Sequence, residues 1–205
     1  MPDRGTSNPL ALAVLACLAQ RPMHPYEMSS TMREQRKDTA VKLNFGSLYS
    51  VVGSLQQKGY IEQVGPAARQ GNRPERRTYA ITAAGSAALA AWVSTLVREP
   101  AVEYPRFAVG LDYLTALPQA DAVAALRART QALTAEVERR RAETTASAEE
   151  LARRGLGRVY VLEDEYRLAM VEAELAWARS VLTEFETGAL DDDHWRAHHA
   201  GLSLE

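Results

Sequence analysis

A change of hydrophobic period at Gly59 constrains the fold more than any other feature of this 205-residue sequence. The apolar residues before it recur at i, i+3, i+4 and i+7: Leu48, Val51, Val52 and Leu55. This spacing predicts one apolar stripe along a helix. Residues 60–64, which follow, are instead rich in strand-forming side chains. Because glycine suits the position just beyond a helix end, the sequence predicts a helix that stops at Gly59 and continues into a strand.

The helix before Gly59 is predicted to begin at Asn44, since asparagine is a good N-cap residue. At about 100° per residue, small and polar side chains lie opposite the apolar stripe. They are Ser50, Gly53, Ser54 and Gln57. Two shorter helices are expected upstream. The first runs from Leu10 to Gln20. The second starts at Pro25, whose missing N–H is harmless in a first turn, and runs to about Lys37.

Downstream of the stripe the sequence predicts a two-stranded hairpin. Its strands are residues 60–64 and 77–81, both rich in β-branched and aromatic side chains. Residues 65–76 between them read GPAARQGNRPER, and this Gly, Pro and Arg content predicts a long basic tip. Thr82 then suits the N-cap of a fourth helix that ends near Arg98.

The second half of the sequence predicts a helical hairpin. An alanine-rich helix is expected over residues 119–154, a break at residues 155–157 (GLG) and a last helix over 158–187. Apolar residues of the last helix recur every three or four positions: Val159, Leu162, Tyr166, Met170, Ala173, Trp177 and Val181. Two antiparallel helices alone leave part of such a surface in water, so we expect a partner chain to cover it.

The charge is divided unevenly between the two halves. The net charge is only −2, but residues 1–98 carry 12 Lys and Arg against 6 Asp and Glu, and residues 99–205 carry 12 against 20. A basic half of this kind suits an anionic partner. With Glu99-Pro100 as a boundary, we expect a DNA-binding domain at 9–98, a helical dimerisation and effector domain at 99–187, and an acidic, flexible tail at 188–205.

The composition leads us to expect a cytoplasmic protein. The single cysteine, Cys17, argues against a disulfide framework and fits a reducing compartment, where it is expected to be a small buried hydrophobe. The apolar stretch around it lacks a strongly cationic start, so we interpret it as a core helix rather than a signal peptide. No apolar run is long enough to span a bilayer, and no membrane partner is expected.

Three short helices followed by a hairpin with an arginine-rich tip describe a winged helix-turn-helix, in which the third helix enters the major groove of DNA. The predicted fold class is mainly α with a small β-hairpin wing, joined to a C-terminal helical dimerisation domain. Small side chains on the third helix allow close approach to DNA, and its N-terminus suits a backbone phosphate. Tyr49 could bond a phosphate or be a half-buried core residue. Arg77 could contact DNA or pair with Glu62.

The candidate DNA-binding residues come from the second and third helices, the segment between them and the hairpin tip. Basic and amide side chains of the tip are expected to contact phosphates or the minor groove. The candidates are Tyr26, Lys42, Asn44, Gly46, Ser47, Tyr49, Ser50, Ser54, Arg69, Gln70, Asn72, Arg73, Arg76 and Arg77.

Three segments together resemble the PadR family of transcriptional regulators. They are LALAVLACLAQRPMHPYEM, FGSLYSVVGSLQQKGYIE and RRTYAITAAG, and the resemblance is strong over residues 9–98. Two positions depart from the family pattern: Pro25 stands where a glycine is usual, and Ser50 stands where a proline follows the helix tyrosine. Because Ser50 lies on a surface that DNA could contact, sequence preference cannot be transferred from the family.

The resemblance implies a homodimeric repressor that binds a double-stranded DNA operator and is released by a small aromatic or drug-like effector. In the family, the C-terminal helices form the dimer and effectors bind near that interface. The aromatic and apolar residues expected there are Trp92, Tyr104, Phe107, Tyr166, Met170 and Trp177. Their helical spacing is equally typical of ordinary core residues.

Other function classes find little support in the sequence. Gly46-Ser47 is not the Gly-x-Ser-x-Gly of a nucleophile elbow, and no phosphate-binding or dinucleotide fingerprint is present. His194 and His198 could share a metal on a helix, but no third ligand accompanies them. We therefore expect no enzyme activity, cofactor or metal. The alternative is an effector-binding or protein-interaction dimer whose winged-helix scaffold does not bind DNA specifically.

Overall fold

The computed structural model describes residues 8–35, 45–64, 77–190, 195–196 and 199. The chain forms two compact units, Met1–Glu103 and Tyr104–Glu205. The described part of the first unit contains four helices and a hairpin, and the regular elements described in the second unit are all helices. This confirms the predicted fold class, a winged helix-turn-helix followed by a helical region.

The first two helices of the N-terminal unit begin at side-chain caps. Helix α1 (Pro9–Gln20) starts after Asn8, whose Oδ1 accepts hydrogen bonds from the N–H groups of Leu10 (3.1 Å) and Ala11 (3.3 Å). Helix α2 (Pro25–Glu34) starts after His24, whose Nδ1 accepts from the Tyr26 N–H at 3.1 Å. Such caps satisfy N–H groups that have no partner within the helix.

Helix α3 (Phe45–Gln57) confirms the predicted stripe. The stripe is buried in the core, and the opposite face is exposed. The helix ends as expected at Gly59, which has φ +73°. There the Tyr60 N–H donates to the Leu55 carbonyl at 3.0 Å and the Gly59 N–H donates to the Gln56 carbonyl at 2.9 Å. These two bonds satisfy carbonyls of the last turn.

The hairpin consists of β1 (Ile61–Val64) and β2 (Thr78–Ile81), which are antiparallel, with Ile61 opposite Ile81. Tyr79 also exchanges two backbone hydrogen bonds of 3.0 Å with Met23, which ties the hairpin to the segment before α2. The predicted basic tip, residues 65–76, lies outside the described residues. Helix α4 (Ala83–Arg98) follows directly, with Thr82 as its N-cap.

One hydrophobic cluster holds the N-terminal unit together. Its fully buried members include Val14 and Leu15 of α1, Met28 and Met32 of α2, and Leu48 of α3. Helix α1 packs against α2, α3, α4 and β2. It therefore forms the centre of the unit, which explains its uniformly apolar sequence.

The C-terminal unit is built around a long helical hairpin. Helix α5 (Arg106–Asp112) and a 3₁₀ turn (Leu114–Ala116) lead into α6 (Gln119–Arg153), and α6 packs along α7 (Leu162–Glu186). Gly155, at φ +71°, ends α6 as predicted. The last helix starts later than expected, because residues Arg158–Val161 form a 3₁₀ turn.

The face of α7 that packs inward differs from its most regular apolar stripe. Leu175, Ala178 and Leu182 are the residues of α7 that are buried. The predicted stripe instead remains in contact with solvent at Val159, Leu162, Tyr166, Met170 and Trp177. Three ion pairs cross from α6 to α7: Arg129–Glu174, Arg141–Glu172 (2.5 Å) and Arg127–Glu186 (3.1 Å).

Two residues of the predicted tail, Trp195 and His199, contact the preceding helical region. The Trp195 indole is buried, its N–H donates to the Leu117 carbonyl at 2.9 Å, and its ring lies 5.9 Å from that of Phe185. Nε2 of His199 is 2.8 Å from the Thr115 carbonyl. Burial removes the apolar ring of Trp195 from water, which favours its position against these residues. His194 and His198 lie outside the described residues.

Candidate nucleic-acid interface

The exposed face of α3 is the centre of the candidate site. Ser50, Gly53, Ser54 and Gln57 are all exposed, as predicted from the helical spacing. A Cβ placed on Gly53 would meet no atom within 4 Å, so this side of the helix is open. The buried Leu48, Val51, Val52 and Leu55 on the opposite side fix the rotation of α3 in the unit. This face therefore carries small or polar side chains, and the packing of α3 holds it in one orientation.

The N-terminal turn of α3 is also accessible. Gly46 and Ser47 are exposed, and the first turn carries no acidic residue. An anion is therefore not opposed by a negative side chain in this turn, where the helix dipole favours it. Tyr49 is 53% exposed. Lys42 and Asn44, predicted beside this turn, lie outside the described residues.

Helix α3 carries no charged side chain between Phe45 and Gln57. The first cation beyond it is Lys58, which is exposed. Attraction for an anionic partner must therefore come mainly from residues around the helix, while the helix itself offers hydroxyl, amide and backbone groups. This separation between positioning charges and a neutral contact surface is typical of DNA recognition.

Two further predicted contacts lie on neighbouring elements. Tyr26, in the first turn of α2, is exposed. Arg77, just before β2, is exposed as well, and none of the described ion pairs joins it to Glu62. The remaining predicted contacts of the tip lie outside the described residues. They are Arg69, Gln70, Asn72, Arg73 and Arg76.

The predicted effector residues do not form one group. Trp92 belongs to the core of the N-terminal unit, where it is 4% exposed and its ring meets that of Tyr60 edge-on at 5.7 Å. It borders a cavity of about 300 Å³ that is also lined by Asn8, Ala11, Val51, Ser54, Leu55 and Lys58. The other five candidates lie in the C-terminal unit. Of these, Tyr104, which precedes α5, and Tyr166 and Met170 of α7 are exposed.

Phe107 and Trp177 are brought together, with ring centroids 5.8 Å apart. Arg129, which the sequence did not single out, stacks its guanidinium 3.5 Å from the centre of the Phe107 ring. The same guanidinium bonds to Glu174 of α7. Arginine over an aromatic face gains from the ring quadrupole. To predict this cluster from the sequence, one would have had to pair Arg129 with Glu174, which is 45 positions away.

The described residues contain no cluster of metal-ligating side chains. In that part of the chain, no three His, Cys, Asp or Glu side chains come close enough to hold a metal ion. Burial raises the pKa of the Cys17 thiol to about 11, so it remains protonated and unreactive near neutral pH. None of the described helices is long and apolar enough to cross a membrane.

Residues 14–91 match the model of the Transcriptional regulator PadR-like family. No curated protein matches the chain.

Among solved structures, Bacillus subtilis PadR in complex with operator DNA is 19% identical, with a TM-score of 0.63 over 85% of this chain and 97% of that one. The same protein in complex with p-coumaric acid is 17% identical, with a TM-score of 0.66 over 87% and 99%. The Vibrio cholerae virulence activator AphA is 17% identical, with a TM-score of 0.61 over 87% and 98%. At these identities the likeness shows a shared fold.

Proposed function

Because this chain belongs to the PadR-like family of transcriptional regulators through residues 14–91, we propose that it acts as a homodimeric repressor that a small molecule releases from its operator. The chain is a DNA-binding transcriptional regulator. The observation that carries the DNA-binding part of the proposal is helix α3, which has a buried apolar stripe, an exposed face of small and polar side chains, and no charge.

DNA recognition would use α3 in the major groove. Serine and glutamine side chains can hydrogen-bond base edges, and Gly53 leaves room for the groove floor. Phosphates would be bound at the N-terminal turn by Gly46 and Ser47, and by Tyr26 and Arg77 at the edges. The basic tip of the wing would add phosphate or minor-groove contacts, which accounts for the excess of Lys and Arg in residues 1–98.

A second copy of the chain would cover the exposed stripe on α7. Leu162, Tyr166, Met170 and Trp177 are all more than two-fifths exposed, although they repeat along one side of the helix. A continuous apolar surface of this kind marks an interaction site. A twofold dimer would present two α3 helices to two half-sites, which are separated by about 34 Å when they lie one turn of DNA apart.

The effector would bind in the C-terminal unit beside Phe107 and Trp177. These rings offer an apolar surface, and Arg129 and Glu174 offer charges of both signs. The structurally similar Bacillus subtilis PadR has been solved with p-coumaric acid, an aromatic acid, which makes a small aromatic ligand a reasonable class to test first. Release follows if the ligand favours a dimer geometry that no longer matches the operator.

The effect of the protein on transcription distinguishes a repressor from an activator. One structural neighbour of this chain is an activator, Vibrio cholerae AphA, so the same fold can raise transcription. In-vitro transcription from the promoter of the chain's own gene discriminates the two. The proposed repressor lowers the transcript level in proportion to its occupancy of the promoter, whereas a rise in transcript with occupancy would mean that it is an activator.

Specific DNA binding can be tested with the fragment upstream of the chain's own gene. We expect fluorescence anisotropy to give a specific affinity at least about a thousandfold above that for an unrelated fragment of equal length. Both affinities should fall steeply with salt, because phosphate contacts release counterions. Equal affinities for the two fragments would contradict the proposal and support the alternative, a dimer that binds an effector or another protein and does not bind DNA specifically.

A further inference from the structure

The C-terminal end of α3 is joined to the N-terminal end of α4 by a short set of bonds. The Thr82 hydroxyl donates to the Gly59 carbonyl at 2.7 Å and accepts from the Gly85 N–H at 3.1 Å. The Thr82 N–H donates to the Tyr60 carbonyl at 3.0 Å. One residue therefore caps α4 and also binds the two carbonyls that follow α3.

Steric contact at Gly85 tightens the same junction. A Cβ placed on Gly85 would lie 2.0 Å from the Tyr60 carbonyl oxygen and 2.9 Å from Cγ1 of Ile81. The first of these is a backbone atom and cannot rotate away. The first turn of α4 therefore rests directly on the backbone that leaves α3, at a distance that only glycine permits.

A third contact lies farther along α4. The ring of Tyr60 meets that of Trp92 edge-on, with centroids 5.7 Å apart and planes at 84°. Trp92 is buried in the core of the N-terminal unit. Side-chain, backbone and ring contacts thus connect the end of α3 with two separate turns of α4, and a rotation of one helix alone would break all three.

We propose that Thr82 and Gly85 are positioning residues that make α3 and α4 turn as one body, so that α4 sets the angle of the recognition helix on DNA. Helix α4 ends at Arg98, and the second unit begins at Tyr104. A movement of α4 would therefore also move α3, and no other helix or strand would have to transmit it. The DNA part of this inference rests on the proposed function.

The DNA test uses variants that alter the junction in two independent ways. Thr82→Val keeps the shape of the side chain and removes both hydroxyl bonds, whereas Thr82→Ser keeps the hydroxyl. Gly85→Ala introduces the 2.0 Å contact, and Gly110→Ala is its control, because a Cβ on Gly110 of α5 would meet nothing within 4 Å.

Specific affinity for the chain's own promoter fragment is measured well below each variant's unfolding temperature, so that the folded protein is compared. Thr82→Val and Gly85→Ala should weaken it about tenfold, the loss of one base contact, without changing affinity for an unrelated fragment. Thr82→Ser and Gly110→Ala should stay within about twofold, as expected of changes that create neither a clash nor an unpaired group. Unchanged specific affinity in Thr82→Val would overturn the positioning role, even if Gly85→Ala fails to fold.

Hydrogen exchange tests the junction without DNA. The N–H groups of Gly59 and Tyr60 bond to Gln56 and Leu55 within α3, not to Thr82. If the helices move together, Thr82→Val speeds exchange at these two amides as well as at residues 82–86. Faster exchange confined to residues 82–86 would overturn the inference. If the wild-type chain binds no DNA while the amides still open together, the proposed function fails and the rigid junction stands.

Discussion

Removal of Tyr166 from the exposed stripe of α7 should weaken the proposed dimer. The side chain is 65% exposed in the single chain. A tyrosine can bury about 150–250 Å², so a partner that covers this ring removes roughly 100–150 Å² from water. At about 25 cal/mol per Å² that is roughly 3 kcal/mol. A twofold interface contains the residue twice, and the loss doubles to roughly 6 kcal/mol when both rings are fully covered.

The expected change in dimer dissociation constant is large enough to measure directly. Since about 1.4 kcal/mol is a factor of ten, even half of that loss raises the dissociation constant of Tyr166→Ala about a hundredfold. Sedimentation equilibrium over a range of concentrations gives this constant. Tyr113→Ala is the matched control, because Tyr113 is 71% exposed but follows α5 and does not belong to the stripe. A Tyr166→Ala variant that dimerises as tightly as the wild-type protein would refute the assignment of this face.

Three other changes probe the core and the wing. Leu55→Ala removes a buried side chain of the α3 stripe and should lower the free energy of unfolding by about 2–5 kcal/mol in urea titrations, whereas a loss below about 1 kcal/mol would mean that the stripe is not packed. The raised pKa of Cys17, about 11, means that the folded chain keeps a proton that the unfolded chain loses from about pH 9. Stability is therefore unaffected below pH 9 and should fall by roughly 2–3 kcal/mol as the pH rises from about 9 to 11; this fall should be missing in Cys17→Ala, and identical pH profiles would contradict it. Replacing Arg73 and Arg76 together with Ala should weaken DNA binding and flatten the plot of log affinity against log salt by roughly one to two, and an unaltered slope would mean that the wing does not touch phosphate.

The parts of the fold that the sequence predicted are those specified by neighbouring residues. The stripe of α3, its end at Gly59 and the cap at Thr82 each depend on residues within a few positions of one another. A helix repeat, a positive φ and a side-chain cap are local requirements, so the sequence shows them directly. The hairpin strands were predicted for the same reason.

The parts that the sequence missed depend on distant residues. Trp195 is buried because Leu117, 78 positions away, and Phe185 provide its surroundings. The stack of Arg129 on Phe107 and its bond to Glu174 require three helices to meet. Residues 158–161 continue the apolar repeat of α7, yet they form a 3₁₀ turn just after the reversal at Gly155 and Gly157. Each of these outcomes was decided by tertiary packing rather than by local preference.

The most direct test of the proposal that the exposed face of α3 reads DNA compares Gly53→Glu with Gly110→Glu. Both glycines are exposed helical residues whose added Cβ would meet nothing within 4 Å, so both variants should fold with wild-type unfolding temperatures. In fluorescence anisotropy with the chain's own promoter fragment, we expect Gly53→Glu to lose about a hundredfold in affinity, because it places a negative charge against DNA. Gly110→Glu should stay within about twofold. Equal affinities of the two variants would contradict the assignment of α3 as the recognition helix.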